Sequence, residues 1–303
     1  MAVFLVLPLS VFAVFEVWPY LQAFRLALTD WGGFSADPNF VGLENFRKLF
    51  SDGLFLKALR NSCLLALVIP TVCLSIAFAI ACLVTTAGPA VGRTRGVRGA
   101  GIYRVVSFFP YVVPAIIIGL IWGLAYSPQM GLVNGLLRAL GLDSFENFPW
   151  LGSESTAMPA AMVVIVWGTT GFYVVLFVAA IKGVPAEIYD SARVDGAGRL
   201  RTAVAITLPM ILENVRTGYI YLGLAALDSF VFMEALFPQA RSPNYATLTI
   251  TQDLFQTAFE KFRFGYATAM GIVLALVTLV YAVIIFSVFR LVRGREDWKE
   301  GTS

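Results

Sequence analysis

Three carboxylates in this sequence stand where charge is costly. Asp228 and Glu234 interrupt an apolar, aromatic-rich stretch, and Glu16 interrupts another near the start of the chain. An ionised carboxylate in hydrocarbon costs about 2.5–3.5 kcal/mol on insertion scales, so each must face a cavity or a partner. Tyr219, Tyr221, Phe230 and Phe232 lie close to Asp228 in the chain, and Trp122 and Trp167 fall in two other apolar runs. Carboxylates accept hydroxyl protons and rings cover apolar faces, so Asp228, Tyr221, Phe230, Trp122 and Trp167 form a candidate path for a polyhydroxylated solute such as a sugar. Plainer readings stand beside this one: a helix–helix pair inside a bundle, an interfacial position for Glu234, and a lipid-boundary or partner-facing position for Glu16. Acid–base and metal chemistry have little to work with. The chain has no histidine, and Cys63, Cys73 and Cys82 share one apolar run, which suits small buried hydrophobes better than disulfides or metal ligands. The Gly88–Arg104 segment is rich in glycine and arginine but contains no phosphate-loop pattern and no preceding strand, so it reads as a topology-setting loop.

A second constellation is the polar stretch from Val184 to Pro209, between two long apolar runs. Pro185 suits a first helical turn, Glu187 and Asp190 suit the positive N-terminal end of a helix, and Arg193 suits its C-terminal end. Ile188 and Ala192 are four apart and share a face. Gly196 can take the positive φ of a sharp turn, and a second short helix is expected from about Arg199 to Pro209. Helix, glycine, helix makes a compact bracket, expected to offer an apolar face to something outside the membrane.

The bracket resembles the EAA coupling loop of ATP-binding-cassette importer permeases. The family pattern is Glu-Ala-Ala, three residues, Gly, nine residues, Ile-x-Leu-Pro. Here it reads Asp190-Ser191-Ala192, three residues, Gly196, nine residues, Ile206-Thr207-Leu208-Pro209, and Asp195-Gly196-Ala197 is similar to the sugar-importer version. Asp replaces Glu and Ser replaces the first Ala. The resemblance continues through Val41-Gly42-Leu43-Glu44-Asn45-Phe46, Phe55–Ser62, the Phe108-Phe109-Pro110 to Pro114 helix, Gly131, Asn134 and Leu137, Trp150-Leu151-Gly152, and Phe264–Ala269. A Gly-Gly-Pro turn usual in the family is replaced by Phe237–Pro243.

Such a resemblance implies an all-α polytopic fold, a six-helix bundle of the type I importer kind. It implies no cofactor on this chain, since ATP and Mg belong to separate ATPase subunits. The partners it implies are those ATPases, a second and non-identical permease, an extracytoplasmic solute-binding protein and membrane lipid. The location it implies is a bacterial plasma membrane.

The elements that must hold these residues follow from composition. Of all residues 58% are hydrophobic and 14% charged, with mean hydropathy +0.79, against roughly 25% charged in a soluble domain. A net charge of +3 is too small to argue for nucleic acid. A span needs about 20 apolar residues, and six stretches qualify: Val3–Leu28, Ser62–Thr85, Val106–Tyr126, Ala157–Ile181, Val215–Phe237 and Ala267–Leu291. They are too long and uniform for barrel strands, and the whole chain reads as one permease domain. The first run has no basic region ahead of it and no clear cleavage site, so it reads as a retained span.

Arg93, Arg95, Arg98 and Arg104, then Lys182, Arg193, Arg199 and Arg201, then Arg290, Arg293, Arg295 and Lys299 mark three segments as cytoplasmic, which places both termini there as well. What the resemblance implies for function is ATP-driven, binding-protein-dependent sugar import by alternating access, with no enzymatic step on this chain. The rivals are a secondary transporter or channel without an ATPase, which would carry inverted repeats not evident here, and a membrane enzyme, for which no nucleophile–base pair exists.

Overall fold

Long apolar runs in lipid can satisfy their backbone only internally, and among the described residues nearly everything is helix. The structure, a computed structural model, describes residues 2–34, 38–86 and 100–300. The topology reading of Gly88–Arg104 lies largely outside them, as do the side chains of Arg104, Arg293, Arg295 and Lys299.

The chain enters through α1 (Ala2–Phe12), a π turn (Ala13–Val17) and α2 (Trp18–Ala27). The π turn ends just before Pro19, whose missing N–H and ring would otherwise strain the preceding turn. Short α3 (Glu44–Ser51) leads to α4 (Gly53–Thr86). This helix is longer than the expected second span, because Phe55–Ser62 continues the same helix instead of leading into it. Next come α5 (Ala100–Val112), α6 (Ala115–Ala125), α7 (Leu132–Ala139) and α8 (Glu154–Lys182). The bracket comprises α9 (Ala186–Val194), α10 (Arg199–Thr202), a π turn (Ala203–Thr207) and α11 (Leu208–Met210). The chain closes with α12 (Leu212–Leu227), α13 (Phe230–Leu236), α14 (Ile250–Phe255), a π turn (Gln256–Glu260) and α15 (Phe264–Glu300).

Among the described residues four helices are long and apolar enough to cross a membrane, and six spans result if each of two bent pairs counts as one. The bends correct the expected continuous third and fifth spans. Between α5 and α6 the axis turns by 103°. Pro114 lacks an N–H, adopts φ −54 and ψ 136, and biases Val113 away from helical geometry. Between α12 and α13 it turns by 47° at Asp228, whose φ of −100 and ψ of 46 end the helix without proline or glycine.

α8 is the central post. Of its most apolar window 56% is buried, against 44% for α4, 6% for α15 and none for the first span. Small residues bring its neighbours in. A Cβ at Gly171 would overlap the Ser107 carbonyl of α5, and Gly168 meets Ile118 of α6 and Phe232 of α13. The largest apolar cluster joins Leu65, Ile69, Val164, Phe177, Leu222 and Met233. A second cluster, with Leu49, Phe55, Leu248, Ile250 and Met270, sits at the end opposite the bracket.

Two buried amides tie that end together. The Asn45 amide donates to the carbonyls of Ala27 and Thr29, both at 2.8 Å, and the Asn61 amide donates to those of Ala246 (3.0 Å) and Leu248 (2.9 Å). Of the cysteines Cys73 and Cys82 are buried as expected, but Cys63 is exposed.

Candidate functional site

The bracket is built by its glycine. Gly196 has φ +73, and the two hydrogen bonds that close a left-handed helix end are both present: Gly196 N–H to Arg193 O (3.0 Å) and Ala197 N–H to Ala192 O (2.9 Å). Pro185 is the N-cap of α9, one residue outside the helical turn expected for it. Pro209 interrupts the second arm, and the π turn at Ala203–Thr207 absorbs its missing N–H just as the turn before Pro19 does. The two arms are pinned across their interior. Tyr189 and Thr207 are buried with their hydroxyls 3.4 Å apart, and Thr207 donates to Thr202 O at 3.2 Å. Burial pushes the Tyr189 phenol above its ordinary value, with the Thr207 contact opposing.

The apolar face shared by Ile188 and Ala192 turns inward, a correction to the outward docking face the spacing suggested. Ala192 is buried and Ile188 packs on the core. Ile206, Leu208 and Pro209 are half-buried, Leu208 against the same core. Outward stand Ser191, Asp195 and Gly196, with Asp190 half-exposed and paired to Arg193 at 2.8 Å; Ala197 is half-buried. Three apolar residues not singled out in the motif stand out with them: Val194 (88% exposed), Leu200 (78%) and Val204 (54%). Valine and leucine standing within a polar stretch were the available sequence signal. Behind the bracket an apolar cavity of about 310 Å³ is lined by Leu74, Phe78, Phe177, Leu208, Leu212 and Tyr219.

The five path candidates do not converge on one point. Asp228 is exposed at the α12–α13 break, Ser229 beside it is buried with its hydroxyl unpartnered, and Tyr221 is 68% exposed. Trp122 and Trp167 meet edge to face at 5.6 Å, and Trp167 lines an apolar groove of about 640 Å³ between α4, α5 and α8. Phe230 instead meets Phe255 at 5.1 Å. Phe230 and Phe232 are two apart on a helix and so point to opposite sides, which separates the Phe230 contact from the face of α13 packed on α8.

Glu234 has a structural role. Its carboxylate accepts from the Gln239 N–H (2.7 Å) and the Gln252 amide (3.1 Å), fixing the chain after α13. Asp253 is 2% exposed with one carboxylate oxygen unpartnered, and Lys261 is 4.0 Å from the other. Burial raises the Asp253 pKa above the ordinary carboxylate range, Lys261 opposing. Trp150 donates its indole N–H to Asn134 Oδ1 at 2.6 Å, and Asn134 donates to Phe148 O at 3.0 Å, so these motif residues lock the segment after α7. A polar groove of about 680 Å³ opens at the end opposite the bracket, lined by Gln239, Arg241, Tyr245, Gln256, Glu260 and Lys261, among others.

Comparison with known proteins bears on both features. The chain is 57% identical over 293 residues to the diacetylchitobiose uptake system permease protein NgcF of Streptomyces coelicolor, covering 97% of this chain and 83% of that one. It is 33% identical to the probable ABC transporter permease protein YurN of Bacillus subtilis, covering 96% and 95%. The crystal structure of a bacterial ABC transporter involved in the import of alginate contains a chain of the same fold, with TM-score 0.76 at 22% identity over 95% of this chain and 94% of that one. Residues 84–296, which hold the bracket and both bent spans, match the profile of binding-protein-dependent transport system inner membrane components, and the chain belongs to that family.

Proposed function

We propose that this chain is a transmembrane subunit of an ATP-driven sugar importer, and that the bracket at 184–209 is the handle through which separate ATPase subunits move it. The bracket carries the reading. It exposes Val194, Leu200 and Val204 around a rigid glycine-closed corner, and its second arm runs through Leu208 into the apolar core. Apolar side chains exposed on a polar element suit a protein cleft. Only Ile211, with φ −107 and ψ 16, separates that arm from α12, whose 16 residues end at Asp228. At 1.5 Å per residue α12 is about 24 Å long, so tilting the bracket moves the Asp228 break. Alternating access then follows if the ATP-bound and ATP-free motor states hold the bracket with different affinity.

In this reading the bracket and both termini are cytoplasmic, and the polar groove faces outward, where a solute-binding protein delivers its cargo. A second, non-identical permease completes the path. ATP and Mg are bound by the motor and not by this chain. The 57% identity to a diacetylchitobiose permease makes that β-linked disaccharide the first cargo to test. The test is copurification with the cognate ATPase, with and without Asp190–Ala197. Deletion is expected to release the ATPase and abolish uptake while membrane insertion persists. Unchanged transport would overturn the assignment, and failure to retain an ATPase at all would favour an ATPase-independent carrier.

A further inference from the structure

Five aromatic rings from three stretches of the chain make one continuous row. Phe230 opens α13 beside Asp228, Phe255 closes α14, Phe259 lies in the following π turn, Phe264 opens α15, and Trp31 follows the first span. Successive ring centroids are 5.1, 5.0, 5.7 and 5.5 Å apart. Phe255 and Phe259 are four apart, share a face, and are 39% and 57% exposed. Their helix is inverted for a water-facing element: Gln252, Asp253 and Thr257 are 1–2% exposed while the aromatics face out. The row runs from the break in the fifth span to the end of the molecule that carries the polar groove.

Two observations separate this row from an ordinary lipid-facing surface. The exposed face of α15 is mainly aliphatic, with Leu279, Val280, Val283 and Ile284, whereas every contact in the row is aromatic; the first span exposes both kinds, with Phe12, Phe15, Trp18, Tyr20 and Phe24 beside its leucines and valines. The row is also bordered by exposed Glu260, Lys261 and Arg263. Gln256, Glu260 and Lys261 line the 680 Å³ polar groove alongside it. A pyranose ring has one apolar C–H face and a rim of hydroxyls, and it needs both kinds of surface side by side.

We infer that Trp31, Phe264, Phe259, Phe255 and Phe230 form a stacking track that passes a saccharide from the outer groove to Asp228. The inference rests on the sugar-importer reading above. Rings stack on the C–H faces in turn while the groove's amide and charged groups exchange hydroxyl contacts.

The test uses the assembled importer in nanodiscs and proteoliposomes, with diacetylchitobiose as probe. F255L and F259L keep apolar bulk but remove the ring. Each is expected to lower the maximal uptake rate about three- to tenfold, while F259W keeps at least half and the ATPase stays attached in all three. Independently, fluorescence that F259W adds over the parent should respond to the sugar and resist quenching by brominated lipid. Leucine variants that transport like the parent, or strong quenching by brominated lipid, would overturn the track. If the parent itself does not move diacetylchitobiose, the cargo assignment fails instead. The lipid-quenching result then still decides whether the row faces a path or the bilayer.

Discussion

Substitution of Gly196 separates the bracket's internal geometry from its partner. Its φ of +73 is left-handed, and a Cβ built there meets no heavy atom of the described residues within 4 Å beyond its own chain neighbours. The expected effect within the isolated subunit is therefore conformational alone, about 1–2 kcal/mol for alanine. It should be smaller for asparagine, which tolerates this region, and larger for β-branched valine. A penalty of about 1–2 kcal/mol shifts the ratio of closed to frayed bracket roughly 5- to 30-fold, yet the many contacts of α8 and α12 lie elsewhere. Melting of the purified chain should accordingly fall by only a few degrees in the order Asn, Ala, Val. ATP-dependent uptake should follow the same order but with greater losses, because the open space at Gly196 is where a docked ATPase would press. Two results would refute the reasoning: alanine outperforming asparagine, or valine leaving uptake at the parental level.

Asp228→Asn removes the exposed carboxylate at the α12–α13 break while keeping a hydrogen-bonding side chain of the same shape. Uptake is expected to fall several-fold with ATPase copurification unchanged, and normal uptake across a panel of sugars would remove Asp228 from the path. Asp253→Asn tests the buried carboxyl. Its pKa is raised by burial, so the folded chain binds a proton more tightly than the unfolded chain. The contribution of Asp253 to stability should therefore be fully present below the ordinary aspartate value of about 3.9 and be lost as pH rises through the raised value. The asparagine variant should lose that slope in a melting series across pH 4–7, and an unchanged slope would assign it to another group.

The apolar runs are legible one residue at a time because lipid selects for composition over a whole turn. That is why the positions of the long spans around α4, α8 and α15 could be read from the sequence to within about a helical turn at most of their ends. The bends are not of that kind. Pro110 and Pro114 both lie in the third run, yet only Pro114 breaks it, while Pro70 and Pro159 lie inside continuous helices. Which proline bends depends on whether neighbours re-satisfy the freed carbonyl, a tertiary fact. The fifth-span break has no proline, and its only local sign was Asp228 itself. Asn45, Asn61, Asn134 and Trp150 stood in motif matches, but that the asparagines clamp distant carbonyls and Trp150 bonds Asn134 is a matter of tertiary packing.

The bracket shows how far a motif reaches and where it stops. Its glycine and both helices follow from backbone chemistry within a dozen residues, so Gly196 and its turn were legible. The direction of the Ile188–Ala192 face was not, because an amphipathic helix states that one side is apolar without stating what covers it. Here the chain's own second arm and core cover it, which leaves Val194, Leu200 and Val204 outside. The aromatic row marks the limit of sequence reading. Four of its members fall between Phe230 and Phe264, but the bent span, the turn after α14 and the remote Trp31 bring them into contact in a way that no periodicity along the chain states. Phe230 looked like a neighbour of Tyr221 by sequence, but a bent span and an inverted helix make it the neighbour of Phe255. A surface assembled across two hundred residues is a property of the fold, and any selectivity it confers on a sugar would be encoded there.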